Sequence, residues 1–232
     1  MTEPVRLSID IWSDVMCPWC VIGYYNLQKG LAELEGEIAA AVQWHPFELN
    51  PDMPPEGEGM AEHMLRKYGR EPDAGMTARM QDLAAQAGYQ MRYLGAQPEP
   101  ERRLWNTRRA HVLIAYAHHT RGPEAQTRLK LALFDAHFQQ RRNIHDPDTL
   151  FEIAESTGIP REEAAQALED RDLVAAVAAE ENEAMEMGVT SVPMMLVERR
   201  YMIPGSQEPE VYAASLRKVA GRLGRVEQGA SG

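Results

Sequence analysis

The sequence predicts an α/β fold in which a mixed β-sheet flanked by helices carries a large inserted all-helical domain. Residues 5–12 alternate between apolar and polar side chains, as a strand does, and a segment with helical spacing follows them. From residue 60 to about residue 187 nearly all of the chain has helical spacing. After Gly188 the pattern returns to short apolar strands and one last helix. A helical block supplies no strands, so both ends of the chain are expected to build one sheet.

Two predicted strands and the helix between them form the first part of this sheet. The helix begins at Pro18, because proline fits the first helical position, and it stops near Gly36. The second strand covers residues 40–49 and ends at the Asn50-Pro51 turn. Residues 51–59 are rich in proline, glycine and glutamate, which is typical of a linker.

Glycine and proline mark the ends of the helices in the inserted block. A short helix opens at Pro160, and the other predicted helices cover residues 75–86, 101–121, 123–140, 147–158 and 170–187.

The last part of the sheet is predicted from two short apolar runs, residues 193–197 and 201–203. A turn at Glu198-Arg199-Arg200 separates them. A final helix over residues 208–223 is expected to face inward with Val211, Leu216 and Val219.

The chain has only two cysteines, and both lie in the motif Cys17-Pro18-Trp19-Cys20 between the first strand and its helix. Cysteines with this spacing at a strand-to-helix junction have the placement of a dithiol redox site. A closed zinc site needs further ligands, and the sequence has no second Cys-x-x-Cys and no His-x-x-x-His. We therefore predict a redox pair and no metal site.

The helix start gives the two cysteines different roles. With Pro18 as the first helical residue, Cys17 falls at the N-cap, where its sulfur faces the amides of Trp19 and Cys20 and the positive end of the helix dipole. Both effects favour the thiolate, which is the reactive form. We therefore assign Cys17 as the attacking thiol and Cys20, one turn further in, as the buried resolving thiol. Asp14 acts in the opposite direction, since a nearby carboxylate disfavours a second anion.

A second loop, residues 189–193, is expected to face the attacking thiol. Pro193 cannot donate to a sheet ladder, so it belongs at the start of a strand. A cis Val192–Pro193 bond would turn the polar backbone groups of Val192 toward Cys17, where they would pair with an extended substrate. Trp19 lies between the cysteines at a helix start and is expected to be exposed and to contact substrate. The candidate substrate-binding residues are Pro18, Trp19, Val192 and Pro193.

Motifs along almost the whole chain, in order, resemble the FrnE branch of the DsbA-like thioredoxin-fold proteins. They are Cys17-Pro18-Trp19-Cys20 with Val21-Ile22-Gly23, residues 44–51, Asn106-Thr107 with Ala110-His111, Leu133-Phe134, residues 143–146, Gly188-Val189 with Val192-Pro193, and Tyr201 with Gly205-Ser206-Gln207. The resemblance implies a thioredoxin fold with an inserted helical domain, a cis proline at Pro193, and thiol–disulfide oxidoreductase activity on protein or small-thiol substrates.

The expected domains follow from this pattern. Residues 1–50 and 188–226 form a discontinuous thioredoxin-like domain, residues 51–187 form the inserted helical domain, and residues 227–232 are predicted to be a disordered tail.

Two other function classes share this layout. Glutathione-dependent transferases and isomerases of the kappa and 2-hydroxychromene-2-carboxylate isomerase type also insert helices into a thioredoxin fold, but they typically have serine where Cys17 stands. The retention of both cysteines argues against them. A non-catalytic binding module or chaperone would tolerate the loss of both thiols.

The composition limits the classes of partner that the protein is expected to bind. The net charge of −11, from 24 basic and 35 acidic residues, argues against nucleic acid and anionic membranes. No segment has the length of a membrane span, and no secretory signal is visible, so we expect a cytoplasmic protein, either a monomer or a homodimer. No cofactor is expected beyond the redox-active disulfide, with glutathione as a candidate co-substrate. His45 is expected to have a packing role, and His111 is expected to be a hydrogen-bonded interior residue rather than a catalyst.

Overall fold

The central sheet of the computed structural model combines strands from both ends of the chain, within the residues that it describes, 3–96 and 98–229. These strands are β1 (Val5–Ser13), β2 (Ile38–Pro46), β5 (Met194–Val197) and β6 (Tyr201–Pro204), in the spatial order β2-β1-β5-β6. Strand β1 is parallel to β2 and antiparallel to β5, and β5 and β6 form an antiparallel hairpin. The predicted mixed sheet is confirmed.

Helices account for most of the rest of the described chain. They are α1 (Pro18–Ala32), α2 (Met60–Tyr68), α3 (Ala74–Ala87), α4 (Arg108–Arg121), α5 (Pro123–Phe138), α6 (Pro147–Ser156), α7 (Arg161–Glu169), α8 (Arg171–Glu186) and α9 (Pro209–Gly229). Over residues 3–96 and 98–229, none of them has the length and apolar character that crossing a bilayer requires.

The inserted block is not purely helical, which corrects the sequence prediction. Two short strands, β3 (Glu58–Gly59) and β4 (Arg103–Leu104), pair antiparallel, and the amide of Met60 continues the pairing to the carbonyl of Arg102 at 2.8 Å. Residues at the end of the predicted linker (51–59) and near the start of the helix predicted from residue 101 therefore belong to this strand pair instead. Strands of this length are too short to show a periodic pattern.

A single hydrophobic cluster joins the sheet to the inserted helices. It includes Ile9 and Ile11 of β1, Leu27 of α1, and Leu133 and Phe134 of α5. This cluster therefore crosses the division between residues 1–50 with 188–226 and residues 51–187. A smaller cluster of Val112, Ala115 and Val177 lies within the insertion alone. The helices from the insertion complete the core over which the sheet lies.

Helix α5 is attached to the sheet through Gln126. Strand β2 is an edge strand of the sheet, and its Trp44 has backbone groups that no other strand pairs. The Gln126 side chain accepts from the Trp44 amide at 3.0 Å and donates to the Trp44 carbonyl at 2.8 Å. This one side chain therefore satisfies backbone groups at a sheet edge that would otherwise be open. It also determines which face of α5 packs against β2.

The C-terminal helix differs from its prediction in one residue that was expected to face inward. Leu216 and Val219 are buried as expected, but Val211 is 44% exposed, because the buried stripe of α9 begins at Tyr212 and Ala213. Helix α9 continues through Gly229, so the predicted disordered tail is helical over residues 227–229. The remainder of that tail, residues 230–232, lies outside the described residues.

Candidate active site

The two cysteines lie at the junction between the end of β1 and the start of α1. Pro18 is the first residue of the helix, and Cys17 is its N-cap with extended backbone angles, φ −82° and ψ 114°. The amide of Cys17 donates to the carbonyl of Asp14 at 3.1 Å, which closes the connection from the strand to the helix. The predicted placement of Cys17 is confirmed. Its side chain makes no capping hydrogen bond, however.

Both thiols are free and buried, and the Cys20 amide donates to the Cys17 carbonyl at 3.1 Å within the first turn of α1. Cys17 is 3% exposed and Cys20 is 1% exposed, so Cys17 is much less accessible than an attacking thiol was expected to be. The Cys17 thiol also donates to the carbonyl of Val192, with 3.7 Å between Sγ and the oxygen. The loop that carries Val192 thus lies against Cys17 and helps to cover it.

The loop before β5 has the predicted position. The Val192–Pro193 peptide bond is cis, as the resemblance implied. Pro193 packs closely on α1 at Gly23, where an added Cβ would lie 3.3 Å from Cγ of Pro193. Trp19 is 41% exposed beside the buried thiols. The structure therefore brings Cys17, Val192 and Pro193 together, with an indole at the protein surface next to them.

The electrostatics of the pair oppose the thiolate that the N-cap position predicts for Cys17. The pKa of Cys17 is raised, first by the neighbouring Cys20 thiol, then by burial and the Asp14 charge. The amide of Cys20 does favour the Cys17 thiolate, as an N-cap position predicts, but this effect is the weaker one. Burial and a neighbouring thiol therefore outweigh the helix terminus.

The surroundings of Cys20 act on its thiol in the opposite direction. Burial raises the pKa of Cys20, but the neighbouring Cys17 thiol, the nearby Ser13 hydroxyl and the charge of Lys130 together lower it. Sequence reasoning weighed the helix positions of the two thiols and the charge of Asp14. The deciding groups come from β1 and from α5.

Asp14 is a fully buried anion next to the pair. Its carboxylate accepts from the amide of Leu49 at 2.8 Å and from the amide of Met16 at 3.2 Å. Burial raises the pKa of Asp14, but contact with His111, the Leu49 amide and the charge of Lys130 outweigh it, so the pKa is lowered. Asp14 is therefore ionised inside the protein, where it opposes a thiolate on Cys17.

His111 is interior, as predicted, and lies against Asp14. Its ring is 2% exposed, and Nε2 is 3.9 Å from Oδ1 of Asp14. This separation is longer than a hydrogen bond, and Nε2 has no hydrogen-bond partner among the described residues. Burial lowers the pKa of His111, so the ring is neutral beside the carboxylate.

Lys130 is the residue of this site that sequence reasoning missed. It is fully buried on α5, and its ammonium donates to the carbonyl of Ser13, the last residue of β1, at 3.0 Å. A sequence signal was present, because Lys130 falls on the same helical stripe as Gln126 and Phe134. A lysine on the buried side of a helix indicates a partner in the interior.

The comparison with known proteins agrees with this geometry. The DSBA-like thioredoxin domain family matches residues 8–217 of the chain. The chain belongs to this family. The uncharacterized protein YwbO of Bacillus subtilis (strain 168) is 26% identical over 214 residues, which make up 91% of this chain and 96% of the relative.

Two solved structures show the same fold. A probable DsbA oxidoreductase from Streptomyces coelicolor is 27% identical, with a TM-score of 0.79, over 93% of this chain and 90% of that chain. A 2-hydroxychromene-2-carboxylate isomerase is 15% identical, with a TM-score of 0.61, over 97% of this chain and 100% of that chain. The second likeness is one of fold alone.

The other titratable clusters of this DsbA-like chain lie away from the thiols. Among residues 3–96 and 98–229, no group of His, Cys, Asp and Glu side chains is placed to hold a metal ion. His45 stacks on Trp12 with 4.8 Å between ring centroids, and its Nε2 is 2.9 Å from Oδ1 of Asp10. Its Nδ1 pairs with Glu180 of α8. His45 therefore joins the sheet to the insertion, in agreement with the packing role predicted for it.

This cluster predicts a pH dependence of stability. Burial opposes the charge on His45, but Asp10 and Glu180 raise its pKa to about 9 from 6.5. A group whose pKa is raised in the folded state stabilises the fold fully at any pH below its pKa in the unfolded state. The contribution of His45 to the free energy of unfolding is therefore complete below pH 6.5, and it is lost as the pH rises through 9. At about 1.4 kcal/mol per pKa unit, His45 contributes at most about 3 kcal/mol to the free energy of unfolding. The partial exposure of Glu180 to solvent screens the interaction and makes the contribution smaller.

The measurement is the free energy of unfolding in denaturant between pH 6 and pH 10, which extends roughly one pH unit above the pKa of His45 in the folded protein. Lys130 and Glu181, each with a pKa of about 8, titrate in the same range, so the difference between the wild type and His45→Gln is the quantity to follow. We expect this difference to shrink as the pH rises. A constant difference would show that His45 is neutral in the folded protein.

Proposed function

We propose that the chain is a thiol–disulfide oxidoreductase that exchanges disulfides with protein or small-thiol substrates through Cys17 and Cys20. The observation that carries this proposal is a pair of free thiols one turn apart at a helix N-terminus, with the Val192 carbonyl 3.7 Å from the first sulfur. Thiol–disulfide exchange requires an attacking sulfur, a second sulfur within bonding reach and a docking edge for the substrate chain. Within the family, the sequence motifs favour the FrnE branch.

The substrate is proposed to lie along the loop that faces Cys17. Backbone groups of Val192 would pair with an extended segment next to the substrate sulfur, as an added strand does. Pro193 holds this loop against α1, and Trp19 offers an exposed aromatic face beside Pro18. These residues would bind substrate without taking part in the bond changes.

In the oxidising direction, a substrate thiolate attacks Cys17 of the Cys17–Cys20 disulfide. The bond between the two enzyme sulfurs breaks, Cys20 leaves as a thiolate, and a mixed disulfide forms at Cys17. A second substrate thiolate then attacks the substrate sulfur of that mixed disulfide. Cys17 leaves as a thiolate and the substrate becomes a disulfide. The two enzyme sulfurs are then reduced, and they take up the protons that the two substrate thiols released.

In the reducing direction, the Cys17 thiol first loses its proton to the surroundings. The Cys17 thiolate attacks a substrate disulfide and releases one substrate thiolate. Cys20 then loses its proton to the surroundings and attacks Cys17, which releases the second substrate thiolate and restores the enzyme disulfide. The reduction potential against that of the compartment sets which direction prevails.

Glutathione is proposed as a co-substrate that restores the starting redox state, and the cytoplasm as the working compartment. The use of cysteine supports both, because the two cysteines of the chain stand at the redox motif and none is left for a structural disulfide. Catalysis through the thiol of glutathione bound by the enzyme, as in the isomerase class, is less favoured. That chemistry has no use for Cys20, whose thiol is held beneath Cys17.

The test is an equilibrium measurement in mixtures of reduced and oxidised glutathione, followed by a rate measurement on a fluorogenic peptide disulfide. We expect one intramolecular disulfide to form and to be lost reversibly as the glutathione ratio changes. We also expect peptide exchange to be faster with the protein than with glutathione alone. A protein that forms no Cys17–Cys20 disulfide over the whole series would contradict the proposal.

A further inference from the structure

The helix that carries both cysteines, α1, also supports the loop of residues 189–193. Gly23, Asn26 and Gly30 of this helix are buried, and their spacing of three and four residues places them on one face. A Cβ added at Gly30 would lie 2.6 Å from the carbonyl oxygen of Pro209, at the start of α9. Because glycine has no side chain, the C-terminal part of the chain can pack closely on this face of α1.

The turn after β6, residues 205–207, connects the loop to this helix face. The amide of Gly205 donates to the carbonyl of Pro193 at 2.9 Å, which extends the pairing of β5 with β6 by one residue. Asn26 donates through Nδ2 to the carbonyl of Gln207 at 2.9 Å. The turn is therefore bonded to the loop at one end and to α1 at the other.

Tyr212 of α9 is the second side chain that holds this turn. It is fully buried, and its hydroxyl accepts from the amide of Gln207 at 3.2 Å and donates to the carbonyl of Gly205 at 3.4 Å. A phenolic hydroxyl is both a donor and an acceptor, so the two bonds can form together. One hydroxyl thus joins the two ends of the turn. A phenylalanine ring would fill the same space and bond neither group.

These bonds continue to the reacting sulfur. The turn bonds the carbonyl of Pro193, and the carbonyl of the preceding residue, Val192, lies 3.7 Å from Sγ of Cys17. Asn26 and Tyr212 bond the backbone of the turn, so they act on a substrate only through the loop. The loop and the sulfur are both held on α1, and this helix therefore sets their separation.

We propose that Asn26 and Tyr212 are positioning residues that hold the 189–193 loop at the distance from Cys17 that a polypeptide substrate requires. This inference rests on the proposed function and names the substrate class that the loop selects, a disulfide in an extended polypeptide. The backbone of such a substrate pairs with Val192. A small disulfide without peptide groups has nothing to pair there, so its reaction does not depend on the position of the loop.

The loop has a second effect, because it also covers Cys17, which is 3% exposed. Loosening of the turn should therefore weaken the docking of a peptide and, at the same time, uncover Cys17 to small reagents. A general loss of stability would instead expose Cys20, which is 1% exposed, together with Cys17. The two causes can therefore be distinguished.

The first test replaces Tyr212 by phenylalanine, which removes the hydroxyl and keeps the ring. The rate constant for a peptide disulfide is compared with that for bis(2-hydroxyethyl) disulfide, which has no peptide groups. We expect the ratio of the two to fall about fivefold, the effect of one hydrogen bond. The matched control is Tyr24→Phe, in a buried tyrosine of α1 whose ring packs on Trp44, and it should leave the ratio unchanged.

The second test replaces Asn26 by alanine, with Gln28→Ala, at an exposed site of the same helix, as its control. We again expect the ratio to fall about fivefold. Both Asn26→Ala and Tyr212→Phe are also labelled in the reduced form with iodoacetamide and mapped by mass spectrometry. We expect Cys17 to be alkylated faster than in the wild type, and Cys20 to be alkylated at the wild-type rate.

An unchanged ratio in either folded variant would overturn the role of the residue that it replaces. An equal loss of rate on both disulfides, or an equal gain in labelling at both cysteines, would also overturn it, because the residue would then act only on stability. These outcomes are distinct from failure of the proposed function. If no disulfide forms between Cys17 and Cys20, the exchange activity itself is refuted. If it forms and neither substitution changes the ratio, only the positioning role is refuted.

Discussion

Replacement of Cys17 by serine is expected to abolish disulfide exchange, with a loss of more than about a thousandfold in the rate on a peptide disulfide. A serine hydroxyl cannot form the exchangeable bond to a substrate sulfur that a thiol forms. The variant should therefore catalyse neither the oxidising nor the reducing direction. The fold should be retained, because the oxygen is smaller than the sulfur and can still donate to the Val192 carbonyl. The measurement is the exchange rate under the conditions used for the wild type.

The same variant separates the three function classes. An isomerase that activates the thiol of bound glutathione would keep activity with serine at this position, and a chaperone would keep its binding of unfolded polypeptide. The matched control is Cys20→Ser, which removes the resolving thiol and leaves the attacking one. We expect it to form mixed disulfides and to release them slowly. Exchange at the wild-type rate in Cys17→Ser would exclude the mechanism described here.

Removal of the buried anion is expected to have the largest effect on stability. In Asp14→Ala, the amides of Leu49 and Met16 lose their acceptor, and Lys130 loses an anion that is present in both redox forms. Breaking a buried charge arrangement on one side costs about 3–5 kcal/mol. The measurement is the free energy of unfolding in urea at neutral pH, with the protein in its reduced form.

Two further variants show which part of Asp14 matters. Asp14→Asn keeps one acceptor oxygen and removes the charge, so it should lose about 1–3 kcal/mol and lower the pKa of Cys17, which the Asp14 charge raises. Asp52→Ala, at an exposed site, should remain within about 0.5 kcal/mol of the wild type. If Asp14→Ala were as stable as Asp52→Ala, Asp14 would not be a buried anion with functioning partners.

The parts of the site that were predictable from sequence are those with a local cause. Pro18 fits only the start of a helix, which fixes Cys17 at the N-cap and Cys20 one turn below. Pro193 at the start of a strand and the cis bond before it followed from the motif and its family resemblance. The split sheet followed from the long helical block, since strands absent from that block had to come from the chain ends.

The parts that were not predictable depend on distant residues. The direction of the Cys17 pKa depends on burial and on Cys20, whose own pKa depends on Lys130. That lysine lies 117 positions from its partner Ser13. Its place depends on how α5 is rotated against β2, which the Gln126 bonds to Trp44 decide. Periodicity indicates which face of a helix is buried, but not which residue that face meets.

Strand pairing inside the insertion was missed for another reason. The β3 and β4 strands have two residues each, and alternation cannot be recognised over such a length. Their register comes from tertiary contacts, such as the fit of Gly57 beneath Trp105, where an added Cβ would lie 2.5 Å from the indole.

The most direct test identifies the sulfur that bonds to substrate. Reduced wild-type protein is mixed with a peptide disulfide, quenched in acid within the first turnover, digested and mapped by mass spectrometry. The attacking role of Cys17 predicts that the trapped peptide is joined to Cys17 alone. A peptide joined to Cys20, or shared equally between the two cysteines, would contradict it.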